Sequence, residues 1–414
     1  MNFELLLFDL DNTLLRTDDL EMRFRGHNHL GPQTKAYTDA LVAAAIGQNR
    51  LIYTEDFLTQ LRQSYPELKI AVFTRSPKSY TNTLLSLFYP NFFWDAVIAY
   101  EDVGQTKPAP NGIFDAASRV GVKLATAIAL IGDAKSDVQA AYRAGIWMVA
   151  DTSSWPWPNI NENYHVRERV PDAIIAGPHE LISFLEKPAA HLPLLEMWER
   201  LKQPRPHEIT RPIDHINHFD RTNDNRRHVR IAALGRRFRD DELDATRRSW
   251  HPISKEIEAL KDAEVFPDHW IGALREFIST QPSVVMGYPT TVTVIPAKPG
   301  RFPRLEHLLA QLARSNAESA IRPYAPIAFN QDILRYTEGV RSNHGEYLNA
   351  VERFENIRDH LVVADPASAA ARNIIVIDDV VTSGATLFYA YHYLRDAGAI
   401  SVVPISLTKA VSGQ

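Results

Sequence analysis

The stretch FELLLFDLDNTLL at residues 3–15 decides the reading of this chain. Leu5, Leu6, Leu7 and Phe8 are apolar without a polar alternate, the signature of a strand in a parallel sheet covered on both faces. The run ends on Asp9 and Asp11, two residues apart, so in extended chain both carboxylates turn to the same side. In an open α/β sheet, ligands bind at the carboxyl ends of the strands, where this acid pair stands. Working outward, IAVFT at 70–74, TAIALIG at 126–132 and GIWMVA at 145–150 repeat the buried-strand pattern. Helical spacing separates them, as in Phe57, Leu58, Leu61 and Tyr65, or Val138, Ala141 and Tyr142. PDAIIAGPHELISFLE at 171–186 reads as an edge strand and a closing helix.

A length of 414 residues asks for two or three cores rather than one. Composition then shifts: Pro188, Pro193, Pro204, Pro206 and Pro212 fall among charges and histidines, which marks a linker over 188–228. A second α/β pattern follows, with strands expected at 291–295, 374–377 and 401–407. The chain therefore reads as two doubly wound α/β domains, 1–187 and 229–414. Hydrophobic residues at 45 % and charged ones at 23 % are ordinary for globular proteins. A formal charge of -5 supplies no global field toward nucleic acid or anionic membrane. With no cysteine, disulfides, thiol nucleophiles and Cys-bearing zinc sites are excluded. The acidic residues in MNFELLLFDLDN argue against a signal peptide, and no apolar run approaches membrane-spanning length, so a soluble cytoplasmic protein is expected.

Three more pieces arrive at the ends of the later strands of the first half. Thr74 offers a hydroxyl and an N–H to a phosphoryl oxygen, Lys107 in QTKPAP a positive charge, and Asp133 and Asp137 in IGDAKSD carboxylates for a hard cation. The ordered set FDLDNTL, VFTRS, TKP and GDAKSD resembles the four motifs of the haloacid dehalogenase superfamily of aspartyl-phosphate phosphatases, over about residues 1–187. The resemblance implies that Asp9 is the nucleophile and that Asp11 protonates the leaving group and then activates water. It implies that Thr74 and Lys107 hold the transferring group. Mg²⁺ would bind Asp9, the backbone carbonyl of Asp11 and Asp133, with Asp137 supporting. The interval after the acid pair is short for a large helical cap, so at most a small one is expected. DTSSWPWPN at 151–159 could place Trp155 or Trp157 against a base, although two packed indoles are the plainer reading.

NIIVIDDVVTSGATL at 373–387 is a strand, two acids, and a small-residue loop entering a helix. The N–H groups of Thr382, Ser383, Gly384, Ala385 and Thr386 form a nest for a phosphate, and Asp378 and Asp379 are spaced to reach vicinal hydroxyls of its sugar. This run resembles the phosphoribosyl pyrophosphate (PRPP) signature of type I phosphoribosyltransferases. In that family the loop corresponding to TVTVIPAKPGR at 291–301 grips pyrophosphate, which assigns Lys298 and Arg301 to it. LRYTEGVRSNHGEYLNAVERFENI at 334–357 resembles a segment of competence-associated phosphoribosyltransferases, where Arg341, His344 and Arg353 either close as a flap or form an exposed helix face. His215 and His218 have roughly helical spacing for a metal but read better as solvated histidines, and the seven arginines of 221–240 could contact nucleic acid or phosphorylated ligands, a solvated helix face being at least as good a reading.

Together the halves suggest a bifunctional enzyme. PRPP-dependent transfer to a base-like acceptor would precede Mg²⁺-dependent removal of phosphate from the nucleotide-like product, hydrolysis pulling the reversible transfer forward. Two alternatives stand beside it: a PRPP or nucleotide sensor that regulates the phosphatase, and a phosphatase acting on nucleic-acid termini. The expected partners are small phosphorylated molecules, with nucleic acid not favoured and no membrane. A homodimer is compatible with the resemblance to transferases that pair.

Overall fold

The computed structural model describes residues 3–24, 34–156, 165–202, 213–216, 229–242, 244–341 and 348–411, with only the backbone at 213–216 and 350. Trp157, His218, His344 and residues 221–228 lie outside the described residues. Contacts divide the chain into two units, one of residues 1–191 with 239–250, the other of 192–238 with 251–411.

The first unit is built on a parallel sheet of β1 (Leu5–Phe8), β2 (Lys69–Phe73), β3 (Ala96–Ile98), β4 (Ile128–Gly132), β5 (Trp147–Asp151) and β6 (Ala173–Ile175). Their order is β3-β2-β1-β4-β5-β6. All four residues of β1 are fully buried, as the unbroken apolar run requires. The chain moves outward from β1 to β2 and β3, then returns to the other side of β1 with β4. That reversal opens a crevice at the carboxyl ends of β1 and β4. Phe8 pairs with Val72 and with Ile131, so Asp9 emerges beside Gly132. In the short interval before β2, helices Asp18–Phe24 and Lys35–Ala45 precede Glu55–Ser64.

Residues 239–250 complete this unit although they come late in the chain. Arg247, fully buried, donates to the Ile146 carbonyl at 2.9 Å and pairs with Asp172, and its guanidinium lies 3.8 Å from the Trp250 ring centre. Trp250 donates from its indole N–H to the Gly145 carbonyl at 2.9 Å.

The second unit has a sheet of β7 (Ile213–Ile216), β8 (Val229–Phe238), β9 (Thr290–Val294), β10 (Ile327–Phe329), β13 (Asn373–Val381) and β14 (Ser401–Val411). The order is β10-β9-β13-β14-β8-β7, parallel but for the β7–β8 pair. A separate antiparallel pair joins β11 (Leu334–Tyr336) and β12 (Leu361–Val363). His215 sits in strand β7 rather than in a helix. Residues 229–238 of the arginine-rich segment form a strand, most of it buried, rather than the solvated helix face that was one of its two readings. The reason is the run Val229, Ile231, Ala232, Ala233, Leu234 and Phe238 between the arginines. Buried Arg236 is paired with Glu196, 2.8 Å from its Nε, and Glu196 belongs to helix Leu194–Leu201, which lies within the proline-rich stretch. Among the described residues no helix is long and apolar enough to cross a membrane.

Candidate functional site

In the first unit Asp9 leaves β1 with its N–H on the Ile131 carbonyl at 2.9 Å, and its Oδ1 accepts from the Leu10 N–H at 2.8 Å. Lys107, fully buried at its side chain, places Nζ 2.8 Å from Asp9 Oδ1 and 2.6 Å from Asp137 Oδ1. Asp137, on the first turn of helix Lys135–Ala144, also accepts the Ala134 N–H at 3.0 Å. Gly132 makes room for that carboxylate: a Cβ there would come within 2.5 Å of its carbon. Asp133 accepts from the Thr13 hydroxyl at 3.3 Å.

Asp9, Asp133 and Asp137 can each direct an oxygen to within 4.8 Å of the other two. One ammonium therefore faces three carboxylates, and the surplus negative charge is buried. Burial, then Asp137 and Asp9, push the Asp133 carboxyl well above the carboxylate range. Burial also raises Asp137 against the pull of Lys107. Burial by itself would lower Lys107, but Asp137 and Asp9 outweigh it and hold the ammonium above its usual range. All-oxygen donors with uncompensated charge fit a hard divalent cation such as Mg²⁺.

Thr74 is buried at the end of β2, where its hydroxyl accepts the Ser76 N–H at 3.1 Å. The carboxylate of Asp11 is turned to hydroxyls. Its Oδ1 accepts from Thr17 at 2.8 Å and Tyr80 at 2.9 Å, and its Oδ2 from Ser76. Burial and the Asp11 charge push the Tyr80 phenol far up, so it remains a donor. Sequence reasoning passed over these three hydroxyls; only Ser76, two residues beyond Thr74 in FTRS, carried a local signal. Trp155 lies by the same acids, its indole N–H donating to the Asp133 carbonyl at 3.2 Å with the Arg167 guanidinium 5.5 Å from its ring.

In the second unit every residue named from the PRPP-like run and the loop before it lines one cavity of about 770 Å³. These are Lys298, Arg301, Asp378, Asp379, Thr382, Ser383, Gly384, Ala385 and Thr386. The cavity opens at the carboxyl ends of β9 and β13, again beside a reversal of strand order. Gly384 has φ 80°, a left-handed conformation that lets the turn lead directly into helix Ala385–Asp396. Asp378 is half-buried, and desolvation together with the Asp379 charge pushes its carboxyl well up. Lys298 donates to the backbone carbonyl of Arg341 at 2.7 Å, and Arg353 reaches the cavity wall. Arg237 from the arginine-rich segment and Tyr336 from the 334–357 segment share the lining, as do Glu258 and Arg304, which no motif marks.

The sequence model of the haloacid dehalogenase-like hydrolase family matches residues 53–150. A phosphoglycolate phosphatase of Aliivibrio fischeri is 24 % identical over 215 residues, spanning 42 % of this chain and 92 % of that protein. The pyrophosphatase PpaX of Halalkalibacterium halodurans is 26 % identical over 170 residues, 41 % of this chain and 70 % of its own length. Among solved structures, CbbY of Rhodobacter sphaeroides in complex with phosphate aligns with 44 % of this chain and 99 % of its own, at 18 % identity and a TM-score of 0.36. The N-terminal part of the chain thus carries a haloacid dehalogenase-like hydrolase domain.

Proposed function

We propose that the first unit is a Mg²⁺-dependent phosphatase and that the second binds PRPP and transfers its phosphoribosyl group to a base-like acceptor. The phosphatase half rests on one observation: Lys107 bridges Asp9 and Asp137 at 2.8 and 2.6 Å beside Asp133. Asp9 attacks the phosphorus of a phosphate monoester, the ester oxygen leaves with a proton from Asp11, and an aspartyl phosphate forms. Water, deprotonated by Asp11, then attacks that phosphorus and releases Asp9 and inorganic phosphate. Thr74 and Lys107 hold the phosphoryl oxygens. Mg²⁺, held by Asp9, Asp133 and the Asp11 carbonyl with Asp137 behind, would neutralise charge between nucleophile and phosphate. The named relatives act on small phosphorylated molecules, phosphoglycolate for one and pyrophosphate for the other, which favours a small substrate here.

The transferase half is supported by the convergence of its named residues on one cavity. The TSGAT turn would take the 5′-phosphate, Asp378 and Asp379 the ribose hydroxyls, and Lys298 and Arg301 the pyrophosphate. The acceptor nitrogen bonds to the anomeric carbon as pyrophosphate leaves. Its 5′-phosphorylated product is the monoester class that the first unit hydrolyses. The test is mass spectrometry of wild type and Asp9→Asn incubated with PRPP, Mg²⁺ and a metabolite extract. A 5′-phosphoribosylated compound that accumulates only with the variant is expected; PRPP unchanged with both proteins overturns the transferase half.

A further inference from the structure

Arg304 is the first residue of helix Arg304–Glu318, three positions beyond Arg301, and its side chain is only 9 % exposed although it lies on the cavity wall. Its guanidinium makes two different contacts. Nη1 is 3.0 Å from Asp379 Oδ2, and Nη2 donates to the Ile257 carbonyl at 3.1 Å. Nε is buried with no hydrogen-bond partner among the described residues, and the group lies 5.5 Å from the Trp270 ring centre. Ile257 is in the last turn of helix Pro252–Ala259, where carbonyls lack partners within the helix and the backbone dipole is negative. Ile257 and Glu258 from that helix, with Lys261 and Asp262 beyond it, line the cavity from a part of the chain far in sequence from the phosphate-type turn.

An arginine this buried costs desolvation unless its donors are used. Here they join an acid proposed to hold ribose to the end of a helix that also lines the cavity. Asp379 Oδ1 already accepts the Val380 N–H at 2.7 Å, and a carboxylate oxygen takes more than one donor, so a ribose hydroxyl can join Arg304 on this group rather than displace it.

We propose that Arg304 is a positioning residue that ties the end of helix Pro252–Ala259 to Asp379, so that filling the ribose site steadies the helix end at 257–262. This rests on the proposed binding of PRPP in the same cavity. The device is a planar fork with two separate donors, which lysine cannot reproduce because its single ammonium does not span both partners.

The test is hydrogen exchange of the full chain with and without Mg²⁺ and PRPP, with affinity measured by calorimetry, for wild type, Arg304→Lys and Arg304→Met. Wild type is expected to slow exchange at 257–262 when PRPP binds. Arg304→Lys should keep affinity within about threefold and lose that slowing, and Arg304→Met should weaken PRPP about tenfold or more. Wild type that binds no PRPP defeats the underlying reading of the cavity. Wild type that binds PRPP without slowing at 257–262, or Arg304→Lys that keeps the slowing, defeats the coupling alone. Should neither variant fold, the wild-type comparison still decides against the coupling if exchange at 257–262 does not change.

Discussion

Lys107 shows how one side chain orders a cluster of acids. With its ammonium 2.8 Å from Asp9 and 2.6 Å from Asp137, it fixes two carboxylates that would otherwise repel each other in a buried site. The arrangement depends on a missing atom, since a Cβ at 132 would stand 2.5 Å from the Asp137 carboxyl carbon. Gly132→Ala should therefore push Asp137 off Lys107. The expected result is a fall of about 100-fold in phosphatase kcat/KM, the scale for a misplaced catalytic group, with a raised Mg²⁺ requirement. Steady-state assays across a Mg²⁺ titration check this, and an unchanged Mg²⁺ profile would refute it. Tyr80 donates to Asp11 at 2.9 Å, so Tyr80→Phe should alter turnover of alkyl phosphates, which need a proton on the leaving oxygen, more than that of nitrophenyl phosphate. Equal effects on both substrates would assign Tyr80 to packing alone.

At the scale of elements, β8 and helix Leu194–Leu201 are joined by a buried charge cluster. Glu196 accepts from the Arg236 backbone N–H at 3.0 Å and from its Nε at 2.8 Å, and His251 Nε2 is 3.1 Å from its other oxygen. Burial alone would raise this carboxyl; Arg236 and His251 more than offset it and hold it well below the usual range. A depressed carboxyl contributes stability that is complete above its unfolded value near 4.5 and lost as pH falls below it. Glu196→Gln should cost about 3–5 kcal/mol at pH 7, because Arg236 is left buried without its counter-charge. The variant should also lose less stability than wild type between about pH 5 and pH 3. Urea unfolding at several pH values measures both, and parallel pH profiles would show that the cluster does not carry the acid sensitivity.

For the molecule as a whole, the unit that carries the hydrolase domain is not continuous in sequence. Residues 239–250 belong to it, anchored by Arg247 on Asp172 and Ile146 and by Trp250 on Gly145. Removing one partner of a fully buried pair leaves a charge without compensation. Arg247→Met is expected to lower stability by about 3–5 kcal/mol and Tm by roughly 10 °C. Differential scanning calorimetry reads the change, and a Tm within a degree or two of wild type would show that the anchor is dispensable.

The sequence by itself determined what is local: the buried strands, the acids at the end of β1, and the small-residue turn after Asp379. Each of these depends on the chemistry of a few consecutive residues. The run Leu5–Phe8 has no polar face to turn to water, and Gly384 supplies the positive φ that its turn requires. β8 was harder to read because its arginines drew attention from the apolar residues between them, and the burial of Arg236 depends on Glu196, forty positions away. Only the tertiary structure decided which charges meet: Lys107 with Asp137, Arg247 with Asp172, Arg304 with Asp379. It also placed the Trp155 indole on the Asp133 carbonyl, where sequence allowed either stacking or packing. The physical reason is that a buried charge must find its partner wherever the chain brings one, and such pairings obey no spacing that can be read along the sequence.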